Sequence, residues 1–137
     1  MKAIVTGGAG FIGSHLVDLL LKENINVTVL DNFSTGRPEN LDHVMEQIEL
    51  VECDLGIPGD WIQKFNNAEW VFHLAALADI VPSIQKPEAY FRANVDGTFN
   101  VLQAAKAAEV KRFIYIASSS CYGIPDKYPT PENAEIW

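Results

Sequence analysis

The sequence predicts a doubly wound α/β fold, with five parallel strands in the order 3-2-1-4-5 and helices between them, and three observations lead there. Short runs of branched apolar residues alternate with helical stretches. A glycine-rich turn joins the first run to the first helix, and an acidic residue closes the second run. The order follows from the right-handed crossover rule together with the first half of the dinucleotide-binding topology.

The five runs are Ala3–Val5, Asn26–Leu30, Ile48–Val51, Trp70–Leu74 and Phe113–Ala117. Between them the pattern predicts a helix over Phe11–Lys22, a short one over Asp60–Phe65 and a long one over Pro87–Ala108, with Pro87 suited to a first turn. In the long helix Phe91, Val95, Thr98, Leu102 and Ala105 recur at steps of four and three, a stripe expected to pack on the sheet. The tail from Gly123 onward is rich in turn formers and reads as irregular.

Composition narrows the function. With 137 residues, 48% of them hydrophobic and 20% charged, the chain fits one globular domain with a core of its own. A formal net charge of −8 is the wrong sign for tracking nucleic-acid phosphates or an anionic membrane, so neither is an expected partner. The two cysteines, Cys53 and Cys121, lack the spacing of a metal site or a disulfide framework and read as packing residues in a reducing compartment. Residues Met1–Val5 run directly into the glycine turn without a signal peptide, and no apolar run reaches membrane-spanning length, so a cytoplasmic location is expected.

Thr6-Gly7-Gly8-Ala9-Gly10-Phe11-Ile12-Gly13 sits where strand meets helix, the context in which such glycines carry meaning. Glycine tolerates a tight turn and lets backbone approach a pyrophosphate, while the helix N-terminus offers amide donors and a favourable dipole. Gly8, Gly10 and Gly13 fit one spacing of the motif, and Gly7, Gly10 and Gly13 a wider one. Asp31 ends the second strand 21 residues beyond Gly10, near the offset at which a carboxylate meets the adenosine ribose of a Rossmann-type fold. A carboxylate there repels a 2′-phosphate, which favours NAD over NADP. The structural alternative is that Asp31 caps the Asn32-Phe33-Ser34 turn.

Six ordered motifs, namely the glycine turn, Asp31-Asn32, Asp54-Leu55, His73-Leu74-Ala75-Ala76, Asn94-Val95-Asp96-Gly97-Thr98 and Ser118-Ser119-Ser120-Cys121-Tyr122-Gly123, together resemble the extended short-chain dehydrogenase/reductase family. The resemblance is nearest its NAD-dependent epimerases of UDP-glucose and UDP-N-acetylglucosamine, and it covers nearly the whole chain. It implies that Phe11 and Ile12 face the pyrophosphate, that Asp31, Asn32, Phe33, Ser34, Thr35 and Gly36 cradle the ribose, and that Asp54 and Leu55 meet the adenine. Leu74, Ala75, Ala76, Leu77 and Ala78 would pass beneath the cofactor, and Asn94 would help to position the active site. Some epimerases have lysine where Ala78 stands. Ser118 matches the family's catalytic hydroxyl, which bonds the reacting sugar oxygen, and Ser119 and Ser120 would line the sugar pocket. The alternatives are a capping role for Asp54 before Gly56, a structural amide for Asn94, and self-bonded hydroxyls at Ser118 to Ser120.

The resemblance also implies an acid/base tyrosine four residues before a lysine, and this sequence has none. Tyr90, Tyr115, Tyr122 and Tyr128 are followed at that distance by Asn94, Ser119, Asp126 and Glu132. Residues 1–137 therefore read as a partial NAD-binding domain without the substrate-binding C-terminal lobe, inactive alone and open to self-association through uncovered surface. The expected parent activity is hydride removal and return at C4 of a UDP-hexose through a 4-keto sugar. A dehydratase would carry acidic residues after the hydroxyl, where Ser119 and Ser120 stand; a non-catalytic dinucleotide-binding module or half of a split protein is the alternative from another class. His73, inside an apolar strand, reads as a packed histidine satisfied by a backbone partner rather than a proton carrier, and His15 and His43 show no evident partner.

Overall fold

The computed structural model describes residues 1–136. Strands β1 (Lys2–Thr6), β2 (Asn26–Asp31), β3 (Ile48–Glu52), β4 (Trp70–His73) and β5 (Arg112–Tyr115) form one sheet in the order β3-β2-β1-β4-β5. Every neighbouring pair is parallel. This is the sheet predicted from sequence.

Alternation along β1 explains the two-sided core. Ala3 and Val5 point into one apolar cluster with Val27 and Val29 of β2, and helix α1 (Phe11–Lys22) closes that side with Val17 and Leu20. Ile4 points the other way, into a cluster with Leu30, Val71, Trp61 and Phe65. A central parallel strand must be apolar on both faces, and Ala3 to Val5 are fully buried.

The region after β4 differs in detail from the sequence expectation. A short helix α2 (Ile80–Gln85), which the pattern did not announce, precedes α3 (Pro87–Phe91). One π-helical turn at Arg92–Asp96 then leads into α4 (Gly97–Ala107). The predicted stripe is corrected in part: Phe91, Val95 and Leu102 are exposed, and the residues buried in α4 are Gly97, Val101, Ala104 and Ala105. The π turn adds a residue to the helical phase, so a 3.6-residue stripe drawn across it does not stay on one face. Small side chains at Gly97, Ala104 and Ala105 also let the helix axis come close to the sheet. Of the predicted stripe, Ala105 is buried and Thr98 reaches β4.

Two 3₁₀ segments, Pro38–Asn40 and Asp42–Gln47, fill the β2–β3 connection, and the predicted short helix at Asp60–Phe65 is also 3₁₀. Beyond β5 a 3₁₀ turn spans Ser119–Tyr122, and the tail is otherwise irregular as expected. Among the described residues no helix is long and apolar enough to cross a membrane.

Candidate functional site

The strands all run the same way, so their carboxyl ends meet at one edge, and a cavity of about 430 Å³ lies there. Its floor is the glycine turn. Gly7 has φ +70°, and a Cβ on it would sit 2.8 Å from the Ala75 nitrogen and 2.9 Å from the Ala75 Cα. A Cβ on Gly13 would collide with the Gly7 carbonyl oxygen. A Cβ on Gly10 would meet only the Gly7 oxygen, at 3.3 Å, because Gly10 faces the cavity. Of the two spacings in the sequence, the one through Gly7, Gly10 and Gly13 therefore shapes the cavity wall, while Gly8 abuts Val29 in the core.

Helix α1 starts at this turn with Gly10 as a cap that offers no side chain. The first amides of a helix have no acceptor within it, so the N–H groups of Phe11, Ile12 and Gly13 present a donor cluster at the positive end of the helix. Phe11 and Ile12 line the cavity, and Phe11 is 79% exposed.

Asp31 lies at the end of β2 and is 7% exposed. Its Oδ2 accepts from the Ala9 amide at 2.9 Å and its Oδ1 from the Phe33 amide at 2.9 Å. The turn-capping role is therefore present, and it does not exhaust the residue: a carboxylate has about four lone-pair sites, of which two are used. The loop beyond is drawn onto the glycine turn by the Arg37 amide and the Asn40 side chain, both donating to the Ala9 oxygen. Asn32, Ser34, Thr35 and Gly36 line the cavity there, whereas Phe33 turns back onto the core at φ +54°.

On the β3 side, Asp54 and Leu55 line the wall. Asp54 caps the Gly56 amide at 2.9 Å and pairs with Arg92 at 3.3 Å. Leu74, Ala75, Ala76, Leu77 and Ala78 also line the cavity, three of them alanines with small side chains.

A family model described as NAD dependent epimerase/dehydratase matches residues 3–136. The chain belongs to this family. Among curated relatives it is 36% identical over 143 residues to a UDP-glucose 4-epimerase of Pasteurella multocida, with 99% of this chain and 42% of that protein covered. It is 39% identical over 134 residues to UDP-glucuronic acid decarboxylase 1 of Arabidopsis thaliana, covering 96% of this chain and 29% of the relative. Among solved structures, UDP-glucose 4-epimerase from Bifidobacterium longum in complex with NAD⁺ and UDP superposes with TM-score 0.91 at 30% identity, over all of this chain and 43% of that one. The chain thus spans less than half the length of these relatives.

Several positions around this epimerase/dehydratase-family cavity gave no signal by motif. Leu30, Cys53, Gly56, Ala93 and Ile116 also line it, each beside a motif residue in the chain or brought there by a strand end. Burial, with the nearby Asp31 and Asp54 carboxylates, pushes the Cys53 thiol up to about 11, so it stays protonated and acts as lining rather than nucleophile. Asn94, Ser118, Ser119 and Ser120 do not line the cavity. The Asn94 amide brackets Leu77, accepting from its N–H at 2.8 Å and donating to its carbonyl at 2.9 Å. Ser118 Oγ donates to Ser120 Oγ at 3.0 Å and accepts from the Ser120 amide at 3.2 Å, in an exposed turn.

The other histidines have partners that spacing could not reveal. His43 Nε2 meets Asp18 at 2.8 Å, and His15 bonds the Phe11 carbonyl at 2.8 Å. His73 is buried as expected, but its ring bonds the hydroxyls of Thr6 and Thr98 rather than backbone. Burial depresses its pKa to about 4. The unfolded chain, with histidine near 6.5, binds this proton first, so stability is fully present above pH 6.5 and falls as pH drops toward 4. We predict a loss of about 2–3 kcal/mol from this residue between pH 7 and pH 4.5. Urea denaturation of the chain and of His73→Gln across that range checks it; equal pH slopes for the two would contradict it.

Proposed function

We propose that the cavity binds NAD, and that the chain is the cofactor-binding part of a nucleotide-sugar 4-epimerase acting on a UDP-hexose. One observation carries this reading: a single cavity gathers a glycine turn, a helix N-terminus without a side-chain cap, the Asp31 carboxylate and the Leu55 side chain in its wall. Those are the complements of a pyrophosphate, a ribose and an adenine. The α1 amides hold the pyrophosphate, the free lone pairs of Asp31 accept from the ribose hydroxyls, and Leu55 lies against the base. Asp54 has one oxygen committed to Gly56 and the other to Arg92, so the base amine shares Asp54 with that guanidinium. When bound, NAD supplies a hydride acceptor and donor for a sugar carbon. Ser118 is the hydroxyl of this chain proposed to hold the reacting sugar oxygen, with Ser119 and Ser120 beside it. The 39% identity to a UDP-glucuronic acid decarboxylase supports a second reading, a different reaction on a nucleotide sugar from the same cofactor site.

Cofactor choice provides the test. Calorimetric titration of the chain should give tighter binding for NAD than for NADP, and loss of the Asp31 charge should narrow the gap. Asp31→Ala removes the acceptor of two backbone amides as well, at about 1–3 kcal/mol for each one left unpaired, and Asp31→Asn keeps an acceptor for one and turns an NH2 donor toward the other, so a thermal melt of each variant accompanies the titration. Equal NAD and NADP affinities for the unmutated chain would refute the ribose role of Asp31.

A further inference from the structure

His73 lies at the carboxyl end of β4, one residue before a loop that lines the cavity, and the hydrogen bonds around it have only one self-consistent direction. Thr98 Oγ1 lies 2.8 Å from the Asn94 carbonyl oxygen, which can only accept, so the Thr98 proton is committed there. Thr98 Oγ1, 2.9 Å from His73 Nε2, must therefore accept, and the ring proton is on Nε2. Nδ1 is then bare and accepts from Thr6 Oγ1 at 2.7 Å, while Thr6 Oγ1 itself accepts from the Ala75 amide at 3.3 Å. The chain of donors runs one way: Ala75 N–H, Thr6 O–H, His73 Nε2–H, Thr98 O–H, Asn94 carbonyl. A neutral imidazole passes a single direction through it, and the opposite tautomer would put two acceptors, bare Nε2 and Thr98 Oγ1, face to face.

One end of this wire, the Ala75 amide, is an anchor of the loop from Leu74 to Ala78, and the other is the backbone carbonyl of Asn94, whose side chain supplies the second anchor. Ala75 is held through Thr6, which ends β1 immediately before the glycine turn. Leu77 is held at both its N–H and its carbonyl by Asn94. The ring also stacks on Tyr115 of β5, with centroids 5.9 Å apart and planes 24° from parallel, which fixes its plane. The imidazole thus ties β1, β4 and the helical segment to this cavity-lining loop.

We propose that His73 is a positioning residue: locked as the neutral Nε2–H tautomer, it sets the Leu74–Ala78 loop by coupling its anchor at Ala75 to its anchor at Leu77. The functional consequence rests on the cofactor reading above, but the lock itself does not, and the two are tested separately. Long-range ¹H–¹⁵N correlation spectra of the unmutated chain should show His73 as a single Nε2–H tautomer at neutral pH. An Nδ1–H ring, an averaged pair, a protonated ring or random-coil signals would overturn the proposal. Thr98→Val should release that tautomer and speed hydrogen exchange at the Ala75 and Leu77 amides about fivefold, the worth of one neutral hydrogen bond, with Thr98→Ser restoring both. Unchanged exchange in a folded Thr98→Val chain would also overturn it. NAD affinity should weaken in parallel with the exchange. Absence of NAD binding by the unmutated chain would count against the cofactor reading, and the tautomer and exchange results would still decide this one.

Discussion

The purified 137-residue chain should show no detectable epimerisation of a UDP-hexose, because the proposed site offers a hydroxyl and no general base. Ser118 is the hydroxyl proposed to hold the reacting sugar oxygen, and no tyrosine in the sequence stands four residues before a lysine. Proton transfer by a positioned group contributes about 10²–10⁴-fold, and a hydroxyl alone cannot replace it. Fusion to a family C-terminal half that carries the tyrosine-lysine pair should restore turnover at C4. In that fusion Ser118→Ala should lower kcat more than it weakens NAD binding. The Ser118 hydroxyl bonds Ser120 in the present structure, so engaging a sugar costs it about one weak, exposed hydrogen bond, which is a small barrier. Activity from the chain alone, or a fusion indifferent to the Ser118 hydroxyl, would sink the assignment.

The second large effect separates two glycines that look alike in sequence. Gly7→Ala should cost roughly 1–2 kcal/mol for a side chain in the left-handed region, plus roughly 1–3 kcal/mol for overpacking against Ala75 backbone, which cannot swing aside as a side chain can. Against a total stability of roughly 5–15 kcal/mol, the domain should still fold, with a melting temperature lower by about 10 °C. The strain falls on the contact between the glycine turn and the Leu74–Ala78 loop, so NAD binding should weaken as well. Gly10→Ala should behave differently. Its Cβ meets only the Gly7 oxygen, at 3.3 Å, and otherwise projects into the cavity where the pyrophosphate is proposed to lie. It should leave the melting temperature within a few degrees of the parent while weakening NAD binding about tenfold or more. Thermal melts and titrations of the two variants check this together. Normal NAD affinity in Gly10→Ala would contradict the proposed pose.

The strands and the motifs around the cavity were legible in the sequence because each rests on local chemistry, and the strand order because the right-handed crossover rule and the doubly wound topology leave few alternatives. Apolar runs of three to five residues announce buried strands, and a glycine turn between strand and helix announces a close backbone approach. Acids at strand ends read as site residues for the same reason, since parallel strands deliver their ends to one edge. What the sequence alone did not determine depends on contacts between segments far apart. The π turn at Arg92–Asp96 changed which side of the long helix is buried, and no repeat in the residues marks where a helix takes up an extra one. Arg92 reached Asp54 only because that turn packs against Gly56. His73 read as a packed residue, yet its neighbours Thr6 and Thr98 come from 67 positions before it and 25 after it, so its tautomer was decided by the assembled sheet and helix. Local pattern specifies the elements and where the chain must turn; the direction of a buried hydrogen bond is specified only when every donor around it has found its acceptor.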